Sequence, residues 1–311
     1  MNMTHTVVAT TYGGPDALAL QDITTPSPAE GQVLIDVKAA GVNPIDWKLY
    51  SGAFGTDPDK LPMRLGLEIS GTVAAVGPGV VGLNPGDDVI AAGSIGGYAT
   101  QVITAADDVF KKPASLSFNE AAGFLLTGQT AIHLLEATNV TEGDTVLIHG
   151  AAGGVGLLAT QLAKARGATV IATASAARHD QLRGYGAIPV EYGPGLQERV
   201  SAIGPVDAAL DLVGTDEAAD VSLALVADKD RIATIAGFAR AASDGFKALG
   251  GGPGADPGTE IRRAARPELI RLAGNGELEV TVDRTYPLTE ARQAHEYGQT
   301  GHARGKIILL P

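Results

Sequence analysis

Residues 145–156, TVLIHGAAGGVG, decide the fold of this chain. A short run of apolar and β-branched residues leads into a glycine-rich turn, and the apolar spacing in the LLATQLAKARG segment that follows predicts a helix. The next segment, ATVIATAS, predicts a second strand. Strand, turn, helix and strand in this order predict a parallel sheet whose strands are joined by crossover helices.

The glycine-rich turn has features of a ligand site. In a dinucleotide-binding fold, the second motif glycine lets the backbone approach the pyrophosphate, and the third lets the helix pack on the strand. Gly153 and Gly156 fit these two positions, but Ala151 replaces the first glycine. The pattern is AxxGxG rather than GxGxxG, so the turn could bind a dinucleotide, bind the nucleotide-like ligand of a methyltransferase, or serve packing alone.

The end of the second strand indicates which dinucleotide would fit. NAD enzymes usually place an acidic residue there to hold the ribose hydroxyls. Here the strand ends in Thr173, Ala174 and Ser175, and Arg178 follows. A hydroxyl and a guanidinium suit a 2′-phosphate, because Arg forms charge-assisted hydrogen bonds with phosphate oxygens. The sequence therefore predicts NADPH rather than NADH, with Tyr192 beside the adenosine, although Arg178 could equally be a solvated helix residue.

The remaining sequence predicts an α/β protein with two kinds of domain. Short β-rich pieces between Gly, Pro and Asp turns fill the first hundred residues and predict a compact antiparallel barrel. Helical periods then alternate with short apolar strands. We expect a β domain over 1–118, an inserted parallel-sheet domain over 119–260, and a return to the first domain over 261–311.

Composition excludes several classes of function. The chain has 311 residues, 23 Lys and Arg, 35 Asp and Glu, and a net charge of -12, which opposes binding to a nucleic-acid backbone. It has no Cys, so disulfides, thiolate nucleophiles and thiolate metal ligands are ruled out. The first residues lack a signal-peptide pattern, and nowhere do about 18 apolar residues run uninterrupted. We expect a soluble cytoplasmic protein with no membrane or nucleic-acid partner.

Seven segments resemble a known family. The chain resembles the zinc-independent quinone oxidoreductase and enone (2-alkenal) reductase branch of the medium-chain dehydrogenase/reductase superfamily, in the segments AAGVNPIDWKLYSG (39–52), LGLEISGTVAAVG (65–77), NPGDDV (84–89), LTGQTA (126–131), AAGGVG (151–156), DLVG (211–214) and GHARGKIIL (301–309). The resemblance implies a GroES-like β-barrel catalytic domain with an inserted Rossmann domain, an active site in the cleft between them, and a homodimer, with a homotetramer as the alternative.

The resemblance also implies that no metal is bound. Zinc-dependent relatives carry a Cys in the NPID segment and a His in a GHE motif, and this chain has Asn43 and Leu67 at those positions. Glu68 remains and is expected to be a structural acid. A catalytic zinc site normally needs about three Cys, His or carboxylate ligands, and the six His are scattered without metal-ligand spacing.

The family's cofactor contacts carry over where the motifs match. The resemblance implies the following NADPH contacts: Asn43 and Lys48 near the nicotinamide ribose or the substrate, Thr127 beside the nicotinamide, Gly153, Gly154 and Val155 in the pyrophosphate turn, Ser175, Arg178 and Tyr192 at the 2′-phosphate, and Val213, Ala236, Gly237 and Phe238 around the nicotinamide. Lys306 returns toward the cofactor in several relatives, but it could equally be a surface lysine at the start of a strand.

The expected reaction is a hydride transfer. Without zinc there is no Lewis acid to activate an alcohol, whereas a quinone or an α,β-unsaturated carbonyl accepts hydride at carbon and spreads the negative charge onto oxygen. Lys48 is the first candidate for stabilising that charge, and Tyr50 is the second. Two alternatives stay open. One is an enoyl-thioester reductase, although Phe54 stands where those relatives carry Tyr; the other is a non-catalytic NADPH-binding protein of the zeta-crystallin type.

Overall fold

The computed structural model describes residues 2–93, 96–252 and 254–311. Within these ranges the strands are β1 Asn2–Ala9, β2 Leu18–Thr25, β3 Gln32–Val42, β4 Met63–Arg64, β5 Glu68–Val76, β6 Asp88–Ala92, β7 Gln101–Ala105, β8 Val109–Lys111, β9 Thr145–His149, β10 Thr169–Thr173, β11 Ile188–Val190, β12 Ala208–Asp211, β13 Ile232–Thr234, β14 Lys247–Ala248, β15 Val282–Pro287 and β16 Lys306–Leu310. The α-helices are α1 Pro44–Tyr50, α2 Phe118–Ala121, α3 Leu125–Ala137, α4 Gly154–Ala165, α5 His179–Gly184, α6 Leu196–Ser201, α7 Asp216–Leu225, α8 Phe238–Asp244, α9 Thr259–Gly274 and α10 Ala291–Gln299. Over the described ranges, none of these helices has the length and apolar character needed to cross a membrane.

The chain forms two compact units. Unit 1 comprises Met1–Leu126 together with Ile270–Pro311, and unit 2 comprises Thr127–Leu269. Both divisions fall inside helices, α3 and α9. The domain limits at 118/119 and 260/261 stay predictions.

Unit 1 is mainly antiparallel β-structure. One sheet has the order β2-β1-β4, and a seven-stranded sheet has the order β15-β16-β3-β5-β6-β8 with β7 also on β3. Strand β3 is central: one edge pairs with β5, and the other pairs with β7 over residues 32–36 and with β16 over residues 40–42. Alternate apolar residues of these strands, such as Val33, Ile35 and Ile69, are fully buried in one core. The predicted GroES-like β domain is confirmed.

Unit 2 contains a parallel six-stranded sheet of order β11-β10-β9-β12-β13-β14. Counted from β9, this is the 3-2-1-4-5-6 order of a dinucleotide-binding fold. The central strands are buried on both faces, as Val146, Leu147 and Ile148 of β9 show, and this explains their uninterrupted apolar sequence. The predicted Rossmann domain is confirmed. Its strand order reverses between β9 and β12, and ligands of such sheets bind where the carboxyl ends of these strands meet.

Candidate active site

The turn after β9 gives its two motif glycines different roles. A Cβ atom at Gly156 would lie 2.4 Å from the carbonyl oxygen of Gly150 and 2.6 Å from Ala151, so only glycine allows α4 to pack this closely on the turn. A Cβ atom at Gly153 would meet only the Gly150 oxygen, at 3.5 Å, which is an ordinary contact. Gly153 therefore faces open space, as a glycine does where a ligand approaches the backbone.

Helix α4 begins at this open space. Gly153 is its N-cap, with an extended backbone (φ -81°, ψ 173°), and Gly154 and Val155 form the first turn of the 12-residue helix. The first N–H groups of a helix have no partner within the helix, and together with the helix dipole they favour an anion. The turn thus has the backbone donors and the space that a pyrophosphate needs.

The segment after β10 reaches the same turn. Strands β9 and β10 are parallel neighbours, so their carboxyl ends lie side by side. The Arg178 guanidinium donates a hydrogen bond from Nη2 to the carbonyl oxygen of Ala152, at 3.3 Å. Ser175 is the residue before the short 3-10 turn that carries Arg178. The structure therefore brings a hydroxyl-bearing segment and a guanidinium to the edge of the glycine-rich turn.

The segments after β12 and β13 are held by a buried acid and a buried hydroxyl. Asp211 Oδ1 accepts hydrogen bonds from the backbone N–H groups of Val213 (3.0 Å) and Gly214 (2.8 Å). The Thr234 hydroxyl donates to Asp211 Oδ2 at 2.7 Å and accepts from the N–H groups of Ala236 (3.1 Å) and Gly237 (2.8 Å). Sequence reasoning missed these two side chains, although one signal was present: Asp211 ends an otherwise apolar strand, AALD.

Other predicted site residues of unit 2 lie at several depths. Thr127 is buried in the first turn of α3, and Phe238 is half-buried at the start of α8. Tyr192 and Val213 are exposed. All except Thr127 follow the carboxyl ends of sheet strands. These placements leave the predicted contacts untested, and they stay predictions.

In unit 1, Asn43, Glu68 and Lys306 form one buried cluster. The Lys306 ammonium donates to Asn43 Oδ1 (2.5 Å), Glu68 Oε1 (2.7 Å) and the carbonyl oxygen of Val42 (3.2 Å). Asn43 Nδ2 also donates to Glu68 Oε1 at 3.0 Å, and Glu68 Oε2 accepts from the N–H of Leu126 at 3.0 Å. The alternative of a surface lysine is wrong for Lys306, since its side chain is only 6% exposed and its three ammonium hydrogens are all bonded here.

This cluster does not fit a zinc ion. Within residues 2–93, 96–252 and 254–311, no group of three or more His, Cys, Asp or Glu side chains could hold a metal. Asn43 and Leu67 offer neither a thiolate nor an imidazole, and Glu68 already bonds a cation, the Lys306 ammonium. A metal ion at Glu68 would compete with that ammonium for the carboxylate.

Helix α1 carries both residues predicted to act in catalysis. It begins with a capping box in which the Asn43 N–H donates to Asp46 Oδ2 at 2.8 Å. Lys48 is half-buried, and desolvation lowers the pKa of its ammonium. Tyr50 is fully buried, and its hydroxyl lies 2.8 Å from Nδ1 of His295 in the core of unit 1. The predicted role of Tyr50 as a donor to substrate does not fit this position, because its hydroxyl is already bonded to His295 away from solvent.

A buried polar chain runs from Tyr50 through His295 and Tyr98 to Asp46. His295 Nε2 lies 3.1 Å from the Tyr98 hydroxyl, which donates to Asp46 Oδ2 at 2.8 Å. Burial lowers the pKa of His295 to about 4, so its ring is neutral at pH 7. Desolvation raises the pKa of Asp46 to about 6, against the lowering effect of its bonds to Tyr98 and Asn43. Since the Tyr98 proton points to Asp46, His295 Nε2 carries the ring proton and Nδ1 accepts from Tyr50.

Comparison with known proteins identifies the family. The model of the alcohol dehydrogenase GroES-like domain matches residues 29–114, and the zinc-binding dehydrogenase model matches residues 190–309. Quinone oxidoreductase 1 of Escherichia coli (strain K12) is 32% identical over an alignment of 321 positions, which covers 96% of this chain and 97% of that protein. The chain belongs to the quinone oxidoreductase branch of the medium-chain dehydrogenase/reductase superfamily.

Solved structures of this quinone oxidoreductase branch share the whole fold. The quinone oxidoreductase from Coxiella burnetii has a TM-score of 0.85 and 33% sequence identity, with 100% of each chain covered. The Escherichia coli quinone oxidoreductase, solved in complex with NADPH, has a TM-score of 0.85 and 29% identity over 99% of this chain and 100% of that one.

Proposed function

We propose that this chain is an NADPH-dependent oxidoreductase that reduces a quinone, or the C=C bond of an α,β-unsaturated carbonyl, without zinc. The observation that carries the proposal is the open backbone at Gly153, at the N-terminus of α4 and at the point where the strand order reverses. The related E. coli enzyme was solved with NADPH. When bound, NADPH supplies the hydride. A homodimer and a cytoplasmic location are also proposed, from the family resemblance alone.

We assign the predicted contact residues to two ends of NADPH, the end with the pyrophosphate and adenosine and the end with the nicotinamide. We propose that the backbone of Gly153, Gly154 and Val155 holds the pyrophosphate, and that Ser175, Arg178 and Tyr192 hold the adenosine 2′-phosphate end. The loops after β12 and β13, with Thr127, are proposed to contact the nicotinamide. Asn43 and Lys306 are also proposed as cofactor contacts. The absence of an acid from residues 174–178, directly after β10, supports NADPH, because a carboxylate there would repel the phosphate.

Replacing Arg178 by Ala should weaken NADPH binding by about 10-fold to 150-fold, because a charge-assisted hydrogen bond contributes about 1.5–3 kcal/mol. NADH has no 2′-phosphate, so its dissociation constant should change by less than about threefold. Fluorescence titration of both cofactors measures this difference.

Arg183→Ala provides the matched control. Arg183 lies on α5, close in sequence, and pairs at 2.7 Å with the exposed Asp180. Its removal should leave both affinities unchanged. Equal losses for NADPH and NADH in Arg178→Ala would contradict a 2′-phosphate role.

Lys48 is proposed to stabilise the negative charge that develops on the substrate oxygen. Its ammonium carries both a charge and protons, and the lowered pKa makes it a better proton donor. If this is its role, Lys48→Met should lower kcat and kcat/KM together, whereas a residue used only in cofactor binding would mainly change KM for NADPH. The buried hydrogen bond between Tyr50 and His295 favours Lys48 over Tyr50 for this step.

The reaction is tested by following deuterium from 4-deuterated NADPH with a panel of quinones, enones and enoyl thioesters. For a reduced enone we expect cofactor deuterium at the β-carbon and solvent deuterium at the α-carbon. Cofactor deuterium on a carbinol carbon would show carbonyl reduction and contradict the proposal. Turnover of enoyl thioesters alone, or NADPH binding without any turnover, would favour the two alternatives.

Gly153→Val is the control for the cofactor site. The space around Gly153 accepts a side chain in the free protein, so the variant should keep its melting temperature. The side chain would fill the space proposed for the pyrophosphate, and turnover should be lost.

The same assay tests zinc independence. Treatment with a strong chelator should change neither turnover nor melting temperature, since no metal-binding free energy would be linked to folding. Stoichiometric zinc whose removal abolishes activity would contradict this part of the proposal.

A further inference from the structure

We propose that Asp211 and Thr234 are positioning residues that hold the loops after β12 and β13 in one shared shape for the nicotinamide end of the cofactor. This inference rests on the proposed function. It adds a pair of side chains that have no direct contact with the cofactor in the proposal above.

The two side chains meet at the ends of neighbouring strands. Asp211 is the last residue of β12 and Thr234 is the last residue of β13, and they are direct partners in the parallel register. Both are buried, at 1% and 0% exposure. The 2.7 Å hydrogen bond from the Thr234 hydroxyl to Asp211 Oδ2 therefore links the two strand ends where water does not compete.

Each side chain also holds the loop that follows its own strand. Asp211 fixes the N–H groups of residues 213 and 214, and Thr234 fixes those of residues 236 and 237. The loops also touch, because a Cβ atom at Gly214 would lie 2.8 Å from the backbone of Ala236 and of Gly237. One loop cannot move without disturbing the other.

The hydrogen-bond capacity of Thr234 is fully used. A hydroxyl has one hydrogen and two lone pairs, and here the hydrogen goes to Asp211 while the lone pairs accept two backbone N–H groups. Ser could keep all three bonds, whereas Val would keep none. Asn at position 211 could still accept the two N–H groups of its loop, but its amide nitrogen could not accept the Thr234 proton.

The effect should be confined to one end of the cofactor. The proposed 2′-phosphate residues follow β10 and β11, and none of the hydrogen bonds of Asp211 or Thr234 given above reaches them. Loss of the Asp211–Thr234 link should therefore weaken NADPH while sparing 2′,5′-ADP, which carries the adenosine and 2′-phosphate but no nicotinamide.

The test compares Thr234→Val with Thr234→Ser, using Thr160→Val as the matched control. Thr160 is also a fully buried threonine of unit 2, and its hydroxyl has no hydrogen-bond partner. We expect Thr234→Val to weaken NADPH binding at least about tenfold and to raise KM or lower kcat, with 2′,5′-ADP affinity within about twofold of the parent. Thr234→Ser and Thr160→Val should both behave like the parent protein.

Three results would overturn the inference: unchanged NADPH affinity in Thr234→Val, equal losses for NADPH and 2′,5′-ADP, or Thr234→Ser behaving like Thr234→Val. If Thr234→Val does not fold, Asp211→Asn provides the second variant, with the same expected split between the two ligands. A parent protein that binds neither ligand would instead overturn the proposed function, so the two failures are distinguishable.

Discussion

Lys306→Met should lower the free energy of unfolding by about 3–5 kcal/mol, the cost of removing one partner from a buried ion pair. Glu68 is completely buried, and the variant would leave its carboxylate with the weaker Asn43 and Leu126 donors alone. Adding Glu68→Gln removes the uncompensated charge, so the double variant should recover a large part of the loss. Urea unfolding of the single variant, the double variant and the parent protein measures these differences.

Lys111→Met is the matched control for this comparison. Lys111 pairs with Asp87 at 3.2 Å, but its side chain is 61% exposed. Exposed pairs contribute about 0–1 kcal/mol, so this variant should stay close to the parent. A Lys306→Met cost as small as that of Lys111→Met, or a Glu68→Gln change that adds to the loss, would contradict the buried pair as we describe it.

Asp46→Asn should raise the free energy of unfolding above that of the parent. This difference should grow by about 3 kcal/mol as the pH rises from about 4 to about 6. The pKa of Asp46 is raised from 3.8 to about 6 in the folded protein by desolvation. Below the lower value the carboxyl is protonated in both states. Between the two values only the unfolded state releases the proton, so the parent loses stability until the pH passes about 6.

The quantity to measure is the difference in free energy of unfolding between Asp46→Asn and the parent protein. His295 and His149 have their pKa values lowered by burial to about 4, and they act with the opposite sign over much of the same pH range, because their protonation favours the unfolded state as the pH falls. Their contributions are common to both proteins and cancel in the difference. Urea midpoints at a series of pH values give the result, and a difference that is flat or shrinks with rising pH would contradict it.

Local pattern was enough to predict the Rossmann unit. The apolar run of β9, the glycine-rich turn and the period of α4 follow one another in sequence, so periodicity alone gave strand, turn and helix. The separate roles of Gly153 and Gly156 also followed from their spacing within this one segment. The structural predictions were most accurate where the interacting residues are close in sequence.

The pairs that sequence analysis missed depend on register across long separations. His295 lies 245 residues from Tyr50, and Lys306 lies 238 from Glu68. The hydrophobic periodicity of one segment does not indicate which distant residue will lie beside a given residue of that segment. Asp211 and Thr234 are likewise adjacent only because β12 and β13 pair in one particular register.

The buried position of Tyr50 depends on helix α1, which sequence analysis did not predict. In α1, Lys48 and Tyr50 are two residues apart, and helix residues at that spacing point to different faces. If Lys48 points toward a ligand, Tyr50 points elsewhere. The buried position of Tyr50 beside His295 agrees with this geometry.

The central place of β3 has a consequence for how the chain is made. Unit 2 is one continuous segment, Thr127–Leu269, so a ribosome delivers all of it before unit 1 is complete. Residues 40–42 of β3 can pair only after residues 307–309 of β16 have been synthesised, and pairings between such distant segments form slowly. A nascent chain therefore contains the whole of the Rossmann unit while part of the β3 edge is still unpaired, and an unpaired strand edge makes a chain prone to aggregation during synthesis.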